Sequence, residues 1–184
     1  MILKVSGRGA LQGEVFVLWR PDRAEKYPEL VEAVEAFDPG PRPAAEAAAT
    51  WLRDDGLRDP PESVARLYVA SGKLLGFYAL ANGDVELTSS HRKKADLQRP
   101  TQPAVVLTWI AKSTEHEVEG GLLVAHATGV AREAAEISAA TVFALDPFDE
   151  ETAEMWRLKG FRNSRTPVPG EAGLKRMWIP LQTS

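Results

Sequence analysis

The sequence predicts an α/β fold with a mixed sheet, and three observations predict it. Ala104–Phe161 reads as a buried strand, a glycine-containing loop, a helix, a second strand and a second helix ending in Gly-Phe. Upstream, Ala65–Ala70 and Leu74–Leu80 flank Ser71-Gly72-Lys73, a hairpin signature and therefore an antiparallel pair. The chain is 184 residues long, 44% apolar and 26% charged, which suits one globular domain with a full core.

The elements follow in order. Met1–Val5 and Glu14–Trp19 alternate or run apolar around Gly-rich Ser6–Gly13, so the N-terminus reads as a β-hairpin. Pro28 stands at a first helical turn, with Leu30, Val31, Val34 and Phe37 at helical spacing behind it. Asp38-Pro39-Gly40-Pro41 stops that helix. Pro43–Arg53 is Ala-rich and helical, with Gly56 as its C-terminal cap, and Leu57–Ser63 is loop. After the central hairpin, polar Ser89–Pro103 reads as a long exposed loop. Ala104–Ala111 is an almost unbroken apolar run, as a strand covered on both faces requires. Leu122, Leu123, His126, Val130, Ala134 and Ile137 mark the buried stripe of a helix over Leu122–Ile137. Ala139–Leu145 is a further buried strand.

Asp146-Pro147 reads as an N-cap followed by proline at the first helical position, and Asp149, Glu150 and Glu151 suit the positive end of the helix dipole. Met155 and Trp156 fall on the buried stripe of that helix, and Gly160 closes it. Lys175–Leu181 supplies the last strand, and no internal repeat or linker divides the chain.

Composition excludes several function classes. A net charge of −4 gives no global attraction to nucleic acid or anionic lipid, so a polyanion partner needs a local basic patch. His91-Arg92-Lys93-Lys94, with Arg99 nearby, is the concentrated basic cluster, and it reads either as a solvated loop or as a phosphate-backbone contact. Absence of cysteine excludes disulfides, thiolate zinc sites and a cysteine nucleophile. His126 reads as a core histidine; His91 and His116 fall in loops, and none has a metal-like neighbour at helical spacing. The N-terminus lacks a basic-then-apolar signal pattern, and no apolar run is long enough to span a bilayer, so a soluble, cytoplasmic protein is expected.

A series of short blocks then adds a family resemblance. Phe37-Asp38-Pro39-Gly40 precedes Trp51-Leu52-Arg53, and Ala65–Ala70 precedes Gly76-Phe77-Tyr78-Ala79-Leu80. Pro103–Leu107 runs on to Ile110-Ala111; Leu122-Leu123, Asp149–Phe161 and Arg176–Leu181 follow. In that order and spacing, Phe37–Leu181 resembles the GNAT superfamily of acetyltransferases, and within it the small toxins that modify aminoacyl-tRNA. Met1–Ala36 lies outside the match. The resemblance implies a mixed, twisted sheet splayed between its fourth and fifth core strands, with helices on both faces. It implies acetyl-CoA as co-substrate, no metal, a primary-amine or tRNA acceptor, and an antitoxin partner. A homodimer paired through the N-terminal hairpin is a further expectation.

The resemblance also assigns positions. Ile110, Ala111 and Lys112 would align the pantetheine arm through their amides, and Gly120 and Gly121 would approach the pyrophosphate. Trp156 occupies the slot in which the family places a tyrosine that protonates the departing thiolate; an indole N–H donates a hydrogen bond and no proton. Glu86, on the central strands, is the candidate general base. The family's Q/R-x-x-G-x-G/A loop is replaced by Thr114–Gly121, shorter by ~3 residues and carrying Glu115, Glu117 and Glu119. Those glutamates read as a solvated turn, or as a loop remodelled to reject CoA or to take a cationic ligand. Two functions follow: an acyl-CoA-dependent N-acyltransferase, or a catalytically silent scaffold that binds a protein or small ligand.

Overall fold

The computed structural model describes residues 13–116 and 118–181. In chain order it contains β1 (Glu14–Leu18), α1 (Pro21–Lys26), α2 (Pro28–Glu35), α3 (Pro43–Asp54), β2 (Val64–Ala70), β3 (Lys73–Glu86) and α4 (Ser89–Lys94). β4 (Thr101–Lys112), α5 (Gly120–Ser138), β5 (Val142–Leu145), α6 (Glu150–Leu158), β6 (Arg162–Pro167) and β7 (Lys175–Pro180) complete it. The strands form one mixed sheet, ordered β1-β2-β3-β4-β5-β7-β6, with helices on both faces. β4 and β5 are parallel, whereas β1 with β2, β5 with β7 and β6 with β7 are antiparallel.

The chain divides into two compact units. The first is residues 1–78 with 110–120. Proline opens α1, α2 and α3, where its missing N–H is one of the helix's unsatisfied donors in any case. The apolar stripes of α2 and α3 bury Leu30, Val34, Ala48, Ala49 and Leu52. Phe77 of β3 meets Phe37 edge-on at 5.8 Å and Trp51 in a stack at 6.5 Å between ring centroids. On the edge pair, Phe16 stacks on Tyr68 at 4.8 Å, and the Tyr68 hydroxyl donates to Glu14 at 2.7 Å. That hydrogen bond, with burial and the carboxylate's charge, pushes the phenol up to about 12.

The second unit is residues 79–109 with 121–184. Successive side chains of a strand point to opposite faces, and all four residues of β5 are buried, so β5 is covered on both sides. On one side Val142 and Ala144 join Val85, Leu87, Ala104, Val106 and Trp178, with Ala95 and Leu97 packed onto them. On the other, Phe143 meets Phe161, which meets Trp156 edge-on at 5.2 Å.

Several expectations are corrected. Ser89–Pro103 is not a long loop: α4 fills its first part, capped by the Thr88 hydroxyl accepting from the His91 amide at 3.2 Å, and β4 already begins at Thr101. A helix of six residues is too short to display a period. α6 begins three residues later than Asp146-Pro147 suggested, because Asp149 is its cap, accepting from the Thr152 amide at 2.7 Å. Met155 is 41% exposed, so only Trp156 of that pair is buried. The inward stripe of α5 is Leu123, Ala127 and Ala131, and Ile137 is 92% exposed. β5 starts at Val142, since Ala139 adopts a left-handed φ of 55° and breaks the strand there. β3 continues to Glu86, and α1 and β6 had no counterpart in the expected elements. Of the N-terminal hairpin, Met1–Val5 lies outside the described residues, and Glu14–Leu18 pairs with β2.

Candidate functional site

The parallel pairing of β4 with β5 is short. It runs from Ala104 opposite Val142 to Leu107 opposite Leu145, where β5 ends, while β4 continues five residues to Lys112. This is the splay that the sequence led one to expect, and it leaves Ile110–Lys112 beyond the last β5 partner. The Ser113 amide donates to the Leu75 carbonyl at 2.8 Å. Backbone groups alternate sides along a strand, so the amide of Lys112 points away from Leu75.

The loop from β4 to α5 is stapled from several directions. Thr114 donates its amide to the Asp38 carbonyl at 3.3 Å, and Ser113 Oγ accepts from the Glu115 amide at 3.1 Å. Lys112 Nζ donates to the carbonyl of buried Val118 at 3.1 Å, so its charge is drawn onto the loop. Gly40, at φ +80°, lies so close to this loop that an added Cβ would sit 2.5 Å from Thr114 Cγ2. Glu115 and Glu119 are exposed; Glu117 lies outside the described residues. α5 then opens on Gly120 and Gly121 with no acidic residue in its first turn, and a Cβ at Gly121 would meet nothing within 4 Å. Open space at a helix start, where backbone amides point outward, is what a diphosphate group requires.

Glu115 has a second environment. Together with Glu29, Glu32, Asp38, Lys73 and His116 it lines a cavity of about 310 Å³ whose wall includes buried Phe37 and Leu74. Four carboxylates against one ammonium make this cavity attractive to a cation.

The remaining predicted residues are scattered. Trp156 is 5% exposed and packs on Phe161, as a core residue. Glu86 ends β3; its carboxylate lies 3.5 Å from Arg165 and its amide donates to the Thr166 hydroxyl at 2.8 Å. Thr108, just past the end of the β5 pairing, donates its hydroxyl to the Ala79 carbonyl at 3.3 Å. Ala79 and Glu86 are separated by seven steps of extended strand, about 23 Å. The structure therefore does not bring Glu86 to the splay. The basic cluster lies in the last turn of α4: Lys93 and Lys94 are exposed, and Arg92 is half-buried and donates to the Gln98 carbonyl at 2.9 Å. Arg99 is exposed in the turn that follows.

Sequence reasoning missed one ion pair. Arg176 of β7 donates from Nε and Nη2 to both oxygens of Asp146, at 2.8 and 2.7 Å, and from Nη1 to the Asp84 carbonyl at 3.0 Å. The hydrogen bonds it donates to Asp146, against the cost of burial, raise the guanidinium further above its usual range. Thirty residues separate the partners, and no local spacing signals such a pair. Among the described residues no group of three or more His, Asp or Glu is placed to hold a metal ion, and no helix is long and apolar enough to cross a membrane.

Neither a family model nor a curated protein matches this sequence. Solved structures do match it in shape. A crystal structure of a KacT point mutant superposes with a TM-score of 0.71 at 20% identity, covering 92% of this chain and 96% of that one. AtaT complexed with acetyl-methionyl-tRNAfMet gives 0.67 at 18% identity, over 91% and 94% of the two chains. AtaTR bound with acetyl-CoA gives 0.63 at 19% identity, over 92% and 94%. The splayed seven-stranded sheet and these matches together identify the architecture of this chain as the GNAT fold, in the form that KacT and AtaT share.

Proposed function

We propose that this chain is an acyl-CoA-dependent N-acyltransferase acting on a primary amine, with the amine of an aminoacyl-tRNA as its acceptor. The observation that carries the reading is the run from the splayed end of β4 to the open, glycine-bearing start of α5. The likeness to AtaT, solved with acetyl-CoA and with an acetylated methionyl-tRNA, supports it.

In this reading the backbone of Ile110–Lys112 lines up the pantetheine arm as an added strand would. Gly120 and Gly121 let the diphosphate approach the first amides of α5. The acceptor amine attacks the thioester carbon directly; the C–N bond forms, the C–S bond breaks, and CoA leaves as thiolate. The amine sheds one proton to solvent. Trp156 supplies none to the sulfur, and thiolate is a tolerable leaving group near neutral pH, so transfer is slowed rather than forbidden. Cations entering the cavity beside Glu29, Glu32, Asp38 and Glu115 meet carboxylates, which suits an ammonium acceptor before it loses its proton. Arg92, Lys93, Lys94 and Arg99 would contact the phosphate backbone of the RNA.

Two observations favour a second reading. Trp156 is given over to core packing, and Glu115 and Glu119 flank the loop where a diphosphate would lie, which together suit a silent scaffold retained for binding. Thermal shift with acetyl-CoA separates the two. A hundredfold excess over the dissociation constant should stabilise the protein by about 2.7 kcal/mol. No shift at millimolar ligand overturns the acyltransferase and leaves the scaffold. Reversing Arg92, Lys93 and Lys94 to glutamate should abolish association with aminoacyl-tRNA, and binding that survives the reversal removes tRNA as the acceptor.

A further inference from the structure

Along the paired stretch of β4 and β5 the backbone ladder itself fixes the strand spacing, at about 4.7–4.9 Å. Past Leu107 and Leu145 the ladder stops, and side chains must decide how far the two strands part. Asp146 is the first residue beyond that point, and one further step of the β5–β7 register sets it opposite Arg176. Arg176 grips both carboxylate oxygens of Asp146 in a fork, and its third bond goes to the Asp84 carbonyl of β3. β3 borders β4 on the side away from β5, so the guanidinium reaches across β4. Gly83 makes room for it: a Cβ there would lie 2.8 Å from Val106 Cγ2 of β4 and 3.5 Å from Arg176 Nη1. No other ion pair among the described residues is as enclosed, the two side chains being 16% and 28% exposed. Exposed pairs hold little; an enclosed, forked one holds its partners in one geometry.

We propose that Arg176, held between Asp146 and the Asp84 carbonyl, is a positioning residue that fixes where β5 leaves β4 and so sets the width of the slot between them. The inference rests on the acyltransferase reading, in which the pantetheine arm lies in that slot. In that reading the arm runs back along β4 from the diphosphate at α5, toward the end where the strands pair. The clamp stands at that root of the slot, on the first residue of the departing chain. A slot already held at one width presents the β4 backbone to the arm with no ordering left to be done on binding. Arg176 touches no reacting atom and acts through the position of Asp146. Lysine cannot stand in for it, because an ammonium is a point charge and offers no fork.

Calorimetry on the intact chain tests it, with two ligands and two variants shown folded by circular dichroism. Arg176→Lys keeps the charge and loses the fork, and should bind acetyl-CoA about tenfold more weakly. Asp146→Asn keeps one oxygen for the guanidinium, folds more readily, and should lose a smaller factor in the same direction. Phosphoadenosine diphosphate, the cofactor without its pantetheine arm, should be held within about twofold of the native affinity by both variants. A merely structural loss would not separate the two ligands. Variants that bind acetyl-CoA as the native chain does overturn the proposal and leave the acyltransferase reading standing. Equal loss for both ligands also overturns it. A native chain that binds no acetyl-CoA at millimolar concentration ends the acyltransferase reading, and the slot with it.

Discussion

Two helices of this chain begin in opposite ways. α6 starts with its own anions: Asp149 caps the Thr152 amide, and Glu150 and Glu151 fill the first turn. Its positive end is satisfied before any ligand arrives. α5 starts with Gly120 and Gly121, no acid in its first turn and open space at Gly121. The acidic residues of this region stand outside the helix: Glu119 one position ahead, and Glu115 beside the cavity shared with Glu29, Glu32 and Asp38. The contrast teaches that counting glutamates near a helix start is not enough. Their side of the boundary decides whether the dipole is spent or merely flanked.

The largest expected effect concerns the residue that sequence placed at the start of α6. Asp146 holds Arg176, whose side chain is 16% exposed, and removing the carboxylate strands a guanidinium with one carbonyl partner. Asp146→Ala should destabilise the fold by about 2–3 kcal/mol in urea unfolding, just under the usual range of about 3–5 for broken buried pairs because Asp146 is partly solvated. A loss near 1 kcal/mol, of the size a cap gives, would return Asp146 to the helix.

Next comes the open start of α5. Gly121→Asp places an anion in the first turn, and should weaken acetyl-CoA binding about tenfold, or ~1.4 kcal/mol, by isothermal calorimetry. Glu119→Gln removes the charge at the threshold and should tighten binding by a smaller factor. If both variants bind acetyl-CoA as the native chain does, the diphosphate does not sit at this helix.

What was legible divides along the same physical line. Elements whose identity rests on apolar pattern were readable: β2, the start of β3, β4, α2 and α3 lie within a few residues of their expected places. Elements set by polar or distant contacts were not. β6 buries only Ser164 and offers no apolar alternation, because it is the sheet's far edge. α4 is too short for a period, and its His91 ring packs on Trp178, 87 residues away in the sequence. The start of α6 was ambiguous because Asp146 and Asp149 both fit a cap, and only the distant Arg176 decides which carboxylate is free for it. The proposed site residues Ile110–Lys112 and Gly120–Gly121 came from the family resemblance and from no local pattern of their own. The acidic cavity draws on three separated segments and gave no local signal.

The smallest effect tests the closed helix start. Asp149→Ala should cost about 1 kcal/mol at neutral pH, the usual loss on removing a cap. The Asp149 carboxyl is held below the usual carboxylate range, first by its side-chain hydrogen bond with Thr152 and then by the Thr152 backbone. A folded pKa below the unfolded one means that the unfolded chain binds the proton more readily. The contribution is therefore complete above the ordinary aspartate value of about 3.9 and is lost as pH falls through the lower folded value. The stability difference between the native chain and Asp149→Ala should be constant from pH 7 to pH 5 and shrink below pH 4. His91, whose folded value is also lowered, by burial first, is common to both proteins and cancels from the difference. A gap that stays unchanged at the acid end would mean the variant acts through something other than the Asp149 charge, and α6 would then be no more self-sufficient at its start than α5.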